Sequence, residues 1–395
     1  MFSDTPLVVV RDAAALAEAA ATMAQARVIG VDTESDSFYA YQERVCLVQV
    51  SDGKTDWVID PLAVSDLGAL APVMADPGIV KVFHGADYDI VSLRRDFQFQ
   101  FVNIFDTLVA AQQLGVPRVG LADLVGNWFG HTLDKAFQRH NWAERPLYDE
   151  HLEYARGDTH WLPALRSILL RRLTAAGRIA AVEEECRLLA KRVWRGRTFD
   201  PNDFLRIRDA RTLSDEGQRA LRGLYVWRDK VGQRLNRPVF KVLPDNVLVG
   251  IARIMPEHTD DLDPVLPQRS ALRRRHGEEL VSAVQAGLDD NSSIEQAAPA
   301  RGDRNSGPRP RLVGRQAERV AIELKSWRND LVARGVVTTP AAALSNGQIQ
   351  SIASRRPHDL EELRKVPDVR EWQVQEFGAA ILGVLDQADP RRATT

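Results

Sequence analysis

The rhythm of apolar residues changes near residue 120, and that change constrains the fold more than any other feature. Before it, short apolar runs alternate with turns. LVVV (7–10) and RVIGVDTE (27–34) read as strands on either side of an alanine-rich helix. RVCLVQVS (44–51) alternates as a second long strand, and TDWVIDP (55–61) is a third that Pro61 ends. Connections this short imply an antiparallel meander. A helical stretch over about 66–74 then leads to the buried strand IVKVFHG and the amphipathic helix ADYDIVSLRRDF. The strand VNIFD and the helix TLVAAQQLG follow, the helix closed by Gly115. Three antiparallel strands followed by strand–helix units give a mixed α/β sheet flanked by helices.

From about 120 to 290 the pattern is almost wholly helical. A stretch from about Asp290 to Gly314, rich in Ser, Pro, Gly, Asn and Arg, reads as a linker. Beyond it, AIELKSWRNDLVARGVVTTPAAALSNGQIQSIASRRP repeats the plan of LRGLYVWRDKVGQRLNRPVFKVLPDNVLVGIARIMP. Each copy carries Trp-Arg (Trp227-Arg228, Trp327-Arg328), a short proline loop, and an Asn-led helix ending in Ile-Ala-x-x-x-Pro. The two tryptophans recur at a helical core position and read as packing residues before stacking platforms.

A chain of 395 residues exceeds one ordinary core and is expected to form two or three domains. No run of about 18 apolar residues occurs, so no membrane span is expected. MFSDTPLVVVRDAAALAEAA lacks the basic start and small-residue cleavage site of a signal peptide. Cys46 and Cys186 make no metal-ligand pattern, and a reduced cytoplasmic setting is expected. The net charge of −2 means that any nucleic-acid binding must come from local basic surfaces.

Five residues point to chemistry. Asp32 and Glu34, at i and i+2 on a strand, share a face. Tyr154 and Asp158, at i and i+4 on a helix, are neighbours. Asp89 begins the helix after HGA. Each alone also has an ordinary reading: an acidic strand end in solvent, an acid favoured by a helix dipole, a half-buried tyrosine beside a surface acid. Gathered together, the four carboxylates would need cations at neutral pH, and oxygen-only ligands suit Mg²⁺ or Mn²⁺. That combination suggests phosphodiester cleavage.

In order and context the DxE strand, the strand–HGA–helix acid and the YxxxD helix resemble the DEDD superfamily of 3′→5′ exonucleases. Tyrosine four residues before the last aspartate marks the DEDDy branch; the DEDDh branch would need histidine where Glu153 stands. VFHGADYDIVSLRRDF, NIFDT, LDKAFQRHNWAERPL and YARGDTHWL resemble ribonuclease D, and the helical repeats resemble its HRDC (helicase and RNase D C-terminal) domains. The resemblance implies an RNase H-like exonuclease domain over 1–175 and a connecting helix or linker over 176–205. HRDC-like domains would follow at 206–290 and 315–388, with a linker over 291–314. It further implies two divalent ions, Mg²⁺ or Mn²⁺, held by Asp32, Glu34, Asp89 and Asp158, with Tyr154 positioning or deprotonating the water. The expected activity is 3′→5′ trimming of structured RNAs with single-stranded 3′ ends, such as tRNA precursors, by a monomer that releases nucleoside 5′-monophosphates.

Other residues carry weaker expectations. His84 reads as a support of the site, a contact to the terminal nucleotide, or a hydrogen-bonded core histidine, and Gln49 as a contact to that nucleotide or a half-buried strand amide. Lys135, Gln138, Arg139 and Arg145 read as phosphate contacts or a solvated basic loop. Asp106 matches a family position, yet its place before Thr107 makes it a helix N-cap. His140-Asn141 stand where the family commonly has Ser-Asp before Trp142, a departure that touches substrate contacts and spares the cage. Two readings from elsewhere remain open: a DNA exonuclease of the same chemistry, since only contacts to a 2′-OH separate the polymers, and a catalytically silent RNA-binding protein.

Overall fold

The computed structural model describes residues 5–194, 196, 198–294, 314–337 and 339–388. Most of the expected linker, with the arginines from Arg301 to Arg311, lies outside the described residues. The described chain forms two compact units. One joins the chain up to Ser35, Val45–Trp194 and the second helical repeat; the other joins Asp36–Arg44 to the first repeat.

The first unit is built on a six-stranded sheet. In chain order its elements are β1 (Leu7–Val10), α1 (Ala13–Met23), β2 (Val28–Ser35), β3 (Val45–Ser51), β4 (Asp56–Ile59), α2 (Ala71–Ala75), β5 (Val80–Phe83), α3 (Asp87–Phe97), β6 (Ile104–Asp106) and α4 (Thr107–Gln113). The strand order is β1-β4-β3-β2-β5-β6. β2, β3 and β4 pair antiparallel, as the short connections require, while β1 lies parallel to β4 and β5 and β6 add parallel to β2. This is the mixed sheet expected. The register places Asp32 opposite Gln49 and Glu34 opposite Leu47, so those four side chains share a face.

Helices α5 (Leu121–Phe129), α6 (Asp149–His160), α7 (Leu162–Ala176) and α8 (Ile179–Leu189) follow. The expectation of an almost unbroken helical pattern from 120 fails between α5 and α6. Gly130 takes a left-handed turn (φ +67°) that ends α5, and residues 131–148 run irregularly. Leu47, Val58, Trp142, Leu147, Leu152 and Ala155 form a small core that seats α6 on β3 and β4. The larger core takes in Leu162, Leu165 and Leu169 of α7 and Val182, Cys186 and Leu189 of α8.

The second repeat, α13 (Arg315–Ala333), α14 (Pro340–Ala343), α15 (Asn346–Arg355), α16 (Leu360–Arg364) and α17 (Glu371–Ala388), docks on α8. Glu184 accepts from the free backbone N–H groups of Glu371 and Trp372 at the start of α17 (2.9 and 3.0 Å), where a carboxylate suits the helix dipole. Glu185 takes Arg370 (3.1 Å) and the Trp372 indole (3.0 Å).

In the other unit the first repeat comprises α9 (Asp215–Leu235), α10 (Val239–Val242), α11 (Asp245–Ile254) and α12 (Ala271–Asp289). The repeats share buried arginine clamps. Arg228 donates to the Leu243 carbonyl (2.9 Å) and Asp245 (2.6 Å); Arg328 donates to the Leu344 carbonyl and Asn346 (both 2.9 Å). Met255 and Arg356 both end their helices left-handed, at φ +45° and +47°, just before a proline. Trp227 is half-buried, its indole donating to Glu279 at 2.8 Å, and Trp327 packs edge-on to Phe377.

α9 and α12 cross at Gly223 and Gly287. A Cβ on Gly223 would fall on the Ala283 carbonyl oxygen and within 2.9 Å of the Gly287 Cα. Backbone cannot move aside as a side chain can, so Gly223→Ala should destabilise the first repeat by roughly 2–3 kcal/mol. Urea unfolding would show it as a lowered midpoint. Among the described residues no helix is long and apolar enough to cross a membrane.

Candidate active site

Three elements deliver four carboxylates to one place. Asp32 and Glu34 project from the end of β2, and Asp158 comes from α6; one oxygen of each lies within 4.8 Å of the others. Asp89, in the first turn of α3, is buried and accepts from the Thr33 hydroxyl at 2.6 Å. The turn before α3 is held from behind. Asp106 caps α4 through Leu108 N and Val109 N, and also accepts from Gly85 N (3.0 Å) and Ala86 N (2.8 Å). It is thus more than an N-cap: it fixes the left-handed Gly85 turn (φ +79°) that starts α3.

The electrostatics are those of a site short of positive charge. Burial first, then the neighbouring acids, drive the Asp32 carboxyl well above the ordinary range and Glu34 to about 9. Asp158 is pushed to about 7 by burial and Asp89. Asp89 reaches about 6, its burial partly offset by the Thr33 hydrogen bond. Among the described residues no basic side chain pairs with any of the four. A gathering of oxygen donors with no internal counter-charge fits divalent cations of the Mg²⁺ or Mn²⁺ type.

Tyr154, one turn before Asp158, is half-buried between Phe137 and Trp142, with ring centroids 5.7 and 5.8 Å away. Burial and the charges of Asp158, Glu34 and Asp32 raise its hydroxyl above its ordinary value. A cleft of about 500 Å³ opens beside it, lined among others by His131, Asp134, Phe137, Glu153 and Asp158.

What fixes α6 is a buried clamp that sequence reading passed over. Asp56, fully buried at the start of β4, takes Arg156 Nε (2.8 Å) and Nη2 (2.6 Å), with His160 Nδ1 at 3.0 Å. Burial alone would raise the Asp56 carboxyl; hydrogen bonds from His160, Ser51 and Arg156 outweigh it and hold the group below its usual value. Arg156 and His160 alternate along α6 with Tyr154 and Asp158, so the clamp sets the helix rotation that aims the site residues. YARGD displays Arg156, but nothing local in the sequence reveals a partner 100 residues away. Thr33 was missed for the same reason: its partner is 56 residues distant.

The weaker expectations separate. Gln49 is fully buried opposite Asp32, and its amide has no hydrogen-bond partner among the described residues. His84 Nδ1 lies 2.9 Å from the Thr107 hydroxyl, which donates to the Phe83 carbonyl; His84 Nδ1–H is therefore the donor. Burial lowers the His84 ring below its ordinary value, with Asp106 opposing. Lys135, Gln138 and Arg139 are exposed on the irregular segment beside Phe137. Arg145 requires correction. Its Nε and Nη2 fork onto Asp60 (2.8 and 2.6 Å), and its other bonds go to the carbonyls of Trp142, Glu144 and Cys46. All five N–H donors are engaged inside the protein, which leaves none for a phosphate.

Residues 7–174 match the 3′-5′ exonuclease family, and residues 218–284 and 317–385 each match the HRDC domain. Residues 7–174 thus carry a 3′-5′ exonuclease domain, and two HRDC domains follow it. Proteins similar to the chain include RRP6 proteins and RNase D. The Exosome complex component 10 homolog of Caenorhabditis elegans is 34% identical over 259 residues, which is 64% of this chain and 29% of that protein. The catalytic core of RRP6 from Trypanosoma brucei is 29% identical, with a TM-score of 0.67 over 73% of this chain and 81% of that one. Escherichia coli RNase D, an exoribonuclease involved in structured RNA processing, is 25% identical, with a TM-score of 0.69 over 97% and 99% of the two chains. The chain spans about a third of the length of the curated relatives it matches.

Proposed function

We propose that this chain is a divalent-metal-dependent 3′→5′ exoribonuclease of the ribonuclease D type, which trims 3′ extensions from structured RNAs such as tRNA precursors. The observation that carries the reading is that half-buried Asp32, Glu34 and Asp158 bring oxygens within 4.8 Å of one another and feel the charge of the buried Asp89, with no basic partner among the described residues. The likeness to RNase D along nearly the whole chain supports the choice of RNA.

Asp32, Glu34 and Asp158 would hold one cation, and Asp32 with Asp89 a second. When bound, two such ions supply an activated water and neutralise charge on the phosphate and the leaving 3′-oxygen. The protein's own groups do the rest. Thr33 holds one Asp89 oxygen and so aims the other. Tyr154, whose hydroxyl burial and the neighbouring carboxylates raise above its ordinary value, would orient the attacking water by hydrogen bonding. Tyr154→Phe should therefore slow single-turnover cleavage by about 10- to 100-fold and leave Mn²⁺ affinity unchanged. An unaltered rate would remove Tyr154 from the mechanism.

The reading is tested by incubating 5′-labelled tRNA bearing a 3′ extension with the protein in Mg²⁺, Mn²⁺ or EDTA. Stepwise shortening with release of nucleoside 5′-monophosphates in either metal, and none in EDTA, is expected. Intact RNA in all three lanes, or equal digestion of DNA of the same sequence, would refute it.

A further inference from the structure

The two helical repeats differ at an exposed position that their shared plan does not require. α14 of the second repeat reads PAAA, and α10 of the first reads VFKV. The arginine clamps and the left-handed helix ends set the correspondence between them, so Phe240 matches Ala341 and Lys241 matches Ala342. The short helix forms with alanines in one copy, and Phe240 and Lys241 are therefore not needed to fold the other.

Both residues face aromatic rings from the segment Asp36–Arg44. Phe240, 49% exposed, meets Phe38, 44% exposed, edge-to-face with centroids 6.4 Å apart. Lys241 Nζ stands 3.6 Å over the Tyr39 ring. The segment is held in place: Tyr41 Oη donates to Asp229 (2.7 Å), and the N–H groups of Tyr41 and Gln42 both reach Asn236 Oδ1 (3.1 and 3.3 Å). The rings are thus fixed before anything binds. Lys230 and Arg237 are exposed nearby in sequence, with no acidic partner among the described residues.

Half-exposed rings with Lys241 beside them match one class of ligand: a flexible polyanion whose units have flat faces. That is single-stranded nucleic acid. In sequence Asp36 follows directly on the end of β2, which carries Glu34. We propose that Phe38 and Phe240 stack bases of a single-stranded RNA 3′ extension, while Lys241, Lys230 and Arg237 meet its phosphates. The proposal rests on the exoribonuclease reading above.

Its test uses the full chain and a fluorescein-labelled oligouridine of about 12 nucleotides, with binding followed by anisotropy in EDTA. Phe240→Ala should weaken binding about tenfold, and Phe240→Trp, which keeps a ring, should bind like the parent. Lys241→Ala should make the salt dependence shallower by about 0.7 in log–log slope. The proposal is overturned if the parent does not bind, if Phe240→Ala stays within twofold of it, or if Phe240→Trp binds as weakly as Phe240→Ala. An unchanged affinity would leave the patch to a protein partner. Mn²⁺-dependent shortening of the same oligouridine by the parent separates the failures: without it the exonuclease reading falls, and with it an unaffected Phe240→Ala defeats the stacking site alone.

Discussion

Asp158→Asn should abolish RNA hydrolysis, by about three orders of magnitude or more, and yet raise the melting temperature of the metal-free protein at pH 8. Both effects have one cause. Asp158 belongs to a half-buried cluster whose members repel one another, so removing its charge relieves the apo fold while it removes a proposed metal ligand. The pH dependence follows. Glu34, Asp89 and Asp158 have folded-state values raised to about 9, 6 and 7. Over that range the folded state binds more protons than the unfolded one, so stability falls as pH rises. Metal-free protein should be most stable below the ordinary carboxylate range for these groups, and should lose stability progressively from about pH 4 through pH 9. Mn²⁺ at neutral pH should restore it. Thermal melts of parent and Asp158→Asn, with and without Mn²⁺, measure every part of this. A mutant that melts lower than the parent in EDTA at pH 8 would show that the cluster is not under charge strain.

The largest effect on stability is expected at Asp56. Asp56→Ala takes the buried carboxylate from the Arg156 guanidinium and leaves it the exposed Glu153 at 3.2 Å, which costs roughly 3 kcal/mol. Two further losses accompany it. His160 loses its acceptor, and α6 loses the contact that sets its rotation. Activity should then fall even at temperatures where the protein stays folded, because Tyr154 and Asp158 ride on the same helix. The double change Asp56→Leu with Arg156→Met should recover much of the stability, since an apolar pair can replace a buried ion pair. If Asp56→Ala melted like the parent, the clamp would contribute nothing and α6 would be placed by its apolar contacts alone. Chemical denaturation of the three proteins, alongside their turnover, decides this.

The parts legible in the sequence were those carried by local periodicity. Alternation marked β3, proline ended β4, and i, i+2 and i, i+4 spacings paired Asp32 with Glu34 and Tyr154 with Asp158. The repeat around Trp227 and Trp327 was legible because both copies keep their arginine clamp. What escaped was set by contacts between distant residues. Arg145 looks like any loop arginine until Asp60, 85 residues earlier, is seen to occupy its fork. The segment 131–148 contains enough helix-favouring residues to pass as helical, but its conformation is dictated by Gly130 and by that same arginine. Asp36–Arg44 reads as a simple connection between strands, and only the fold brings Tyr41 to Asp229, 188 residues on. The candidate acids were legible because the proposed chemistry demands a pattern; their supports were not, because any hydrogen-bonding partner at the right place would serve.

If the four carboxylates on β2, α3 and α6 hold divalent ions as proposed, calorimetric titration of Mn²⁺ into the full chain will register it. Saturable binding of two ions per chain is expected in the parent, with loss of at least one of them in Asp158→Asn. Parent protein that takes up no Mn²⁺, or a mutant that binds it with unchanged stoichiometry and affinity, would contradict the assignment.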